Sequence, residues 1–224
     1  MKTIPKLLVF GLVELVAFGS MLFFPAGTFN YWQAWVFLVV VLVSAWIPSI
    51  YLLRTNPAAL QARMRGGPTA ETRMAQKVVI AGLYLSLAAM VVVSVLDHRL
   101  GWSPVPPAIC LIGDVLVAVG LGVVGLVIIQ NSYAAATVRV QTGQKVVSTG
   151  LYGLVRHPMY TGNVIMMVGI PLALGSYWGL VFVVPGLVVL ASRIRDEEKL
   201  LQKELDGYRE YTQTVRYRLV PCMW

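Results

Sequence analysis

Charge is what this sequence has least of. Of 224 residues only 12% are Asp, Glu, Lys or Arg, against about 25% in a soluble domain. So few charges cannot coat a water-exposed surface, which excludes an ordinary soluble domain. Histidine is nearly as scarce: His98 and His157 are the two in the chain, too few for a histidine-built metal centre. The two cysteines, Cys110 and Cys222, match no zinc or redox spacing. Cys110 is expected to pack inside a span and Cys222 to be a tail thiol. No phosphate-binding P-loop and no dinucleotide Gly-x-Gly-x-x-Gly in a strand–turn–helix context occurs. There is no repeat with a period of 20–50 residues and no low-complexity tract. A Ser-His-Asp hydrolase is conceivable through His157, but Asp114 is expected in the fourth span as a buried packing or pathway residue.

Apolar residues fill the gap, at 58% of the chain and a mean hydropathy of +0.73. Four runs, at 7–25, 33–53, 77–96 and 106–130, each reach the roughly 20 residues that cross a bilayer as helix. Lys2 and Lys6 precede the first, but the run from Leu7 to Phe24 exceeds a secretory h-region and no small-x-small site follows, so it is expected to be a span. Tyr31, Trp32 and Trp35 at one edge of the second run and Tyr51 at the other suit interfacial anchors. Pro48 should kink that helix near its end.

A fifth apolar region covers 161–192. As one helix it would be about 48 Å long at about 1.5 Å per residue, well beyond a hydrocarbon core of about 30 Å. Pro171 and the Gly175-Ser176-Tyr177-Trp178-Gly179 stretch break its middle. Charge placement points the same way. Arg54, Arg63, Arg65, Arg73 and Lys77 crowd the 54–77 loop. Segment 97–105 has only Arg99 as a basic residue, and 26–32 has none. Both flanks of the fifth region are basic, so an even number of crossings satisfies the positive-inside rule. The expected fold is all-α and integral to the membrane, with about six transmembrane helices, the last two a tight hairpin. Residues 1–130 would form a four-span region with the partly helical loop 54–77, and 131–224 a C-terminal catalytic core. Both termini and both polar segments would face the cytoplasm, at the inner or plasma membrane if the chain is bacterial. The net charge of +8 sits between apolar stretches, which speaks for lipid headgroups and against nucleic acid.

Chemistry concentrates in those two polar segments. Segment 141–162 reads QTGQKVVSTGLYGLVRHPMYTG. Its glycines permit turns or close approach to a ligand. His157 precedes a proline and is pushed out of helical geometry. It thereby sits at the mouth of a helix whose unpaired N–H groups suit a carboxylate. The second segment, SRIRDEEKLLQKELDGYREY, continues the hairpin's second helix. Leu190, Ile194, Leu201 and Leu205 form its apolar stripe, with Glu197 and Glu198 on the two flanks. Arg193 lies one turn before Glu197, within reach of an i,i+4 contact. Arg195, Lys199 and Lys203 read as a solvated face. Tyr208 and Tyr211 read as interfacial anchors of the tail, with closure over a pocket as the alternative.

VVSTGLYGLVRHPMYTG at 146–162, an apolar hairpin, RIRDEEKLL at 193–201 and GYREY at 207–211 resemble the isoprenylcysteine carboxyl methyltransferase family and its bacterial and phospholipid-methylating relatives. The resemblance covers roughly the C-terminal third of the chain. It implies an S-adenosyl-L-methionine pocket at the cytoplasmic membrane surface and no metal. Carried over by position, cofactor contacts fall on Gln144, Lys145, Val146, Val147, Tyr152, His157, Pro158, Met159, Tyr160 and Glu197. Arg193 would face the acceptor and orient an anionic group. A carboxylate acceptor is already a nucleophile at neutral pH, whereas an amine would need Tyr160 or Glu198 as base. The leading expectation is carboxyl O-methylation of a membrane lipid or lipidated small molecule, with Arg193, Glu198 and Tyr160 as catalytic residues. The rivals are a phospholipid or small-amine N-methyltransferase, a nicotinamide-dependent membrane reductase and a non-catalytic lipid-binding scaffold.

Overall fold

A computed structural model describes residues 3–57, 60, 73–131, 133 and 143–224. Regular structure among them is helical throughout. Six long helices run in order: α1 (Thr3–Ala26), α2 (Trp32–Thr55), α3 (Met74–Leu100), α4 (Pro107–Gln130), α5 (Pro158–Ala173) and α6 (Val183–Glu204). A short α7 (Tyr208–Thr214) and two 3-10 turns, Gly150–Gly153 and Trp178–Phe182, complete the elements. Four segments are long and apolar enough to cross a membrane: Trp32–Thr55, Gln76–Leu100, Pro107–Gln130 and Trp178–Glu204. Gly11–Ala26 and Pro158–Ala173 are shorter apolar helices. Outward faces are greasy, with Val9, Val16, Val43, Ile47, Leu85 and Val115 largely exposed, as a lipid solvent requires. Most of the 54–77 loop, with Arg63 and Arg65, lies outside the described residues, as does Arg139.

The 161–192 region folds as a hairpin. Its reversal falls at Gly175, whose φ of +72° is cheap only without a Cβ. The reversal is clasped from outside. Ser176 Oγ donates to Asp97 Oδ2 at 2.5 Å, and Ser103 Oγ donates to the same oxygen at 2.6 Å. Tyr31 Oη donates to the Leu174 carbonyl at 2.5 Å and its ring stacks on His98 at 3.6 Å. Tyr31 is therefore not the interfacial anchor expected from its position. It is 1% exposed, because it alone of the three edge aromatics turns inward; Trp32 and Trp35 do lie at the surface. Cys110 is buried and Cys222 exposed, as expected.

α5 runs antiparallel to α4 at very short range. A Cβ at Gly113 would sit 2.2 Å from the Ala173 nitrogen, and one at Gly120 would sit 2.6 Å from the Gly162 carbonyl oxygen. From the other side, a Cβ at Gly169 would meet the Gly113 carbonyl oxygen at 2.9 Å. Glycines seven apart on each helix thus face one another, the small-residue packing that lets helix backbones approach where lipid offers no hydrophobic drive. α6 packs on α3, and α1 and α2 pack on α3 and α4.

Candidate active site

The loop ahead of α5 and the chain after α6 meet at one end of the bundle. Two backbone bonds pin them together: Arg156 N–H donates to the Tyr217 carbonyl and His157 N–H to the Arg218 carbonyl, both at 2.9 Å. His157 has φ −125° and ψ 61°, and Pro158 opens the helix behind it, as the His-Pro pair predicts. Thr161 Oγ1 reaches from the first turn of α5 to the Leu219 carbonyl at 2.8 Å. The 3-10 turn is held on α4 by Leu151 N–H donating to Gln130 Oε1 at 3.2 Å.

Glu198 is the hub of this junction. It is 4% exposed. Its Oε1 accepts from Arg156 Nε at 2.7 Å and lies 3.3 Å from His157 Nε2, while its Oε2 accepts from Arg218 Nε at 2.8 Å. Arg156 Nη1 also donates to the carbonyls of Val215 and Arg216 at 2.9 and 2.8 Å. Desolvating a lone carboxylate is expensive, and these partners are its compensation.

Glu197, one residue earlier, belongs to a different network. Tyr160 Oη donates to Glu197 Oε2 at 2.7 Å, and Arg193 Nε donates to the Tyr160 oxygen at 2.7 Å. Arg193 Nη1 donates to Gln76 Oε1 at 3.2 Å. Gln76 Nε2 donates to Asp196, which also pairs with Arg73 at 3.0 Å. The Tyr160 hydroxyl thus stands between Arg193 and Glu197, a link that spacing along one helix does not reveal because Tyr160 comes from α5.

Between these networks and the 143–153 loop lies a cavity of about 110 Å³. All ten residues carried over as cofactor contacts, from Gln144 to Glu197, line it. Of the expected catalytic residues, Tyr160 lines it and Arg193 and Glu198 do not. Arg193 is turned toward Tyr160 and Gln76. Glu198 is locked behind the wall with both oxygens engaged, which leaves it poorly placed to accept a proton from a substrate.

The sequence reading missed Asn131, Tyr133, Arg156, Leu201 and Leu205 as lining residues, and had Tyr208 and Tyr211 there only as the alternative. For the two tyrosines the anchor reading is corrected: they are 4% and 6% exposed, inside the junction. The signal was present, since residues three apart on a helix share a face, but the apolar partners Val146 and Leu201 that cover them lie in other segments. Tyr211 Oη donates to the Tyr152 carbonyl at 2.7 Å, and Asn131 Nδ2 donates to Tyr152 Oη at 3.0 Å. The Tyr208 hydroxyl is buried with no partner among the described residues. Burial raises the pKa of all three phenols; the nearby Glu197 charge adds to this at Tyr152, and Glu198 and Glu197 add to it at Tyr208. All three therefore stay neutral and able to donate hydrogen bonds at physiological pH.

Over 91 residues, 39% of this chain, the sequence is 33% identical to the mouse (Mus musculus) protein Delta(14)-sterol reductase TM7SF2, and covers 22% of that protein's length. The chain thus spans about a fifth of the relative it matches. Residues 109–206, from α4 to the end of α6, match the family model for phospholipid methyltransferase. That segment contains the RHPMYTG and RDEEKLL motifs and most of the cavity wall, and it places this region in the clan of membrane methyltransferases that those motifs resemble.

Proposed function

We propose that the protein is an S-adenosylmethionine-dependent methyltransferase whose acceptor reaches the cavity from the membrane. In this reading α1–α6 all cross the bilayer, residues 131–224 form the catalytic core, and the cavity and both termini face the cytoplasm. The basic residues Arg54, Arg73, Lys77 and Arg156 and the basic tail support that orientation.

The lining suits the cofactor. Glu197 can accept hydrogen bonds from ribose hydroxyls or the amino group, and Val146, Leu201 and the tyrosine rings offer an apolar bed for a base. Tyr208 supplies a donor that no described residue uses. The cofactor brings an electrophilic methyl group on a sulfonium. The chain's own work is to hold the acceptor in line with that methyl and to keep water out.

The sequence alone put a carboxylate acceptor first, with Arg193 to orient it. The geometry favours the amine alternative. The cavity wall presents a carboxylate and a phenol, Glu197 with Tyr160, while the Arg193 guanidinium is engaged behind them. An ammonium can surrender its proton to the Tyr160 oxygen as the Tyr160 proton moves to Glu197 Oε2, and Arg193 positions the phenol for that relay. Arg193 is then a positioning residue, and Glu198 the clamp that joins loop to tail.

The test is calorimetry with S-adenosylmethionine, S-adenosylhomocysteine and NADPH on detergent-purified protein. Both methionine cofactors are expected to bind and Glu197→Ala to lose them. In turnover, long-chain amines should be methylated and matched carboxylic acids should not. Binding of NADPH in place of the methionine cofactors would install the reductase reading, which the sterol reductase similarity supports; silence with all three would leave the scaffold.

Tyr208→Phe gives a finer check. The variant removes a buried hydroxyl that has no partner among the described residues, so its unfolding midpoint should hold or rise. Cofactor affinity should fall by about five- to tenfold if the hydroxyl bonds the ligand. Unchanged affinity would remove Tyr208 from the site.

A further inference from the structure

Gln76 lies in the first turn of α3, whose N-cap is Arg73. A glutamine at that place commonly turns back to cap its own helix. Here its amide reaches across to α6 instead. Gln76 Oε1 accepts from Arg193 Nη1 at 3.2 Å, and Gln76 Nε2 donates to Asp196 Oδ2. The residue is fully buried. A guanidinium only donates and an ionised carboxylate only accepts, so the amide between them has a single orientation. Arg193 and Asp196 stand three apart on α6 and share a face, and Gln76 bridges them from a neighbouring helix.

Arg193 is gripped at two nitrogens. Its Nε donates to the Tyr160 oxygen at 2.7 Å, while Gln76 holds Nη1. Bonds to two nitrogens of a rigid planar fork fix its plane, and the plane fixes where the Nε–H points. An arginine side chain is long and rich in rotamers, so an acceptor at its far end narrows that freedom. Tyr160 Oη in turn donates to Glu197 Oε2 at the cavity wall. The bonds therefore run in a row from Asp196, whose side chain is 30% exposed, through Gln76, Arg193 and Tyr160 to Glu197.

Gln76 lies ahead of residues 109–206, the part that matches the family model. Neither Gln76 nor Arg193 lines the cavity, so any effect of Gln76 on chemistry travels through Arg193.

We propose that Gln76 is a positioning residue for methyl transfer. By holding Arg193 it keeps the Tyr160 oxygen set to take the acceptor's ammonium proton as the Tyr160 proton passes to Glu197 Oε2. Its place in the reaction rests on the amine-acceptor reading above; its hold on the Arg193–Tyr160 pair does not. A merely structural bridge between α3 and α6 would contribute stability and leave both Tyr160 and turnover alone.

Full-length protein carrying tyrosine isotope-labelled at Cζ is prepared in detergent micelles, and the Tyr160 resonance is assigned by its loss in Tyr160→Phe. Gln76→Leu keeps a similar volume and deletes both bonds. Its Tyr160 resonance should move, and kcat for hexadecylamine should fall at least about tenfold, the scale of a hydrogen bond to a charged group. The KM for the amine and the affinity for S-adenosylmethionine should hold. Gln76→Asn keeps an amide without the reach, and gives the same readout if the leucine variant fails to fold. The paired variant Gln76→Glu with Asp196→Asn exchanges amide and carboxylate between the two positions, so an acceptor again faces Arg193. It should restore the resonance and most of kcat. An unmoved Tyr160 resonance, an unchanged kcat, or a paired variant no better than Gln76→Leu would overturn the proposal. If the unsubstituted protein methylates no amine, the amine-acceptor reading falls, and the resonance alone still decides whether Gln76 holds the Arg193–Tyr160 pair.

Discussion

Glu198→Gln is expected to abolish cofactor binding and to destabilise the protein by about 3–5 kcal/mol, although Glu198 does not itself line the cavity and only braces Arg156 and His157, which do. The figure is that for removing one partner of a buried ion pair and leaving the others uncompensated. Here the abandoned groups are Arg156, whose side chain is 7% exposed, and Arg218. Their charges would repel across the junction that holds His157 and the tail against each other. The neighbouring substitution Glu197→Ala makes the contrast. Glu197 is only half-buried and bonds one hydroxyl, so its loss should remove binding while costing about 1 kcal/mol of stability. Unfolding in mixed micelles together with calorimetry separates the two adjacent carboxylates. Normal binding and stability in Glu198→Gln would end the clamp interpretation.

Gly120→Ile should be strongly damaging within the membrane region. Its Cβ alone would press on the Gly162 carbonyl oxygen at 2.6 Å and on the Met166 backbone nitrogen at 3.1 Å. Backbone cannot rotate away as a side chain can, so α4 and α5 must part. Overpacking costs roughly 1–3 kcal/mol even where side chains can give, and this case should exceed about 3 kcal/mol. Gly122→Ile is the internal control: two residues on, a Cβ meets nothing within 4 Å. Unfolding curves in a denaturing detergent series should separate the pair widely. Equal stability of the two variants would mean that the glycine contact does not hold the helices together.

Much of the fold was legible because a bilayer imposes it. Lipid cannot satisfy backbone polar groups, so long apolar runs must be helices. The runs at 33–53, 77–96 and 106–130 became α2, α3 and α4 with ends within a few residues of those expected. The hairpin was legible from length and from Pro171 and Gly175. What escaped the linear reading were the inward aromatics. Tyr31, Tyr208 and Tyr211 have the spacing and position of interfacial anchors, and an amphipathic ring suits either place. Which one it occupies depends on partners far away in sequence: Leu174 and His98 for Tyr31, and Val146 and Tyr152 for the other two.

The sequence by itself determined that this chain is a helical membrane protein and which two segments carry its polar chemistry. Hydrophobic length and the sign of loop charges act locally and can be counted along a chain. Tertiary structure decided how Glu197 and Glu198 divide their work. A step of one residue turns a helix by about 100°, so adjacent carboxylates look toward different neighbours. Glu197 meets Tyr160 at the cavity, and Glu198 meets Arg156, His157 and Arg218 behind it. Those neighbours come from α5, the loop before it and the tail, and only the packed bundle sets them side by side.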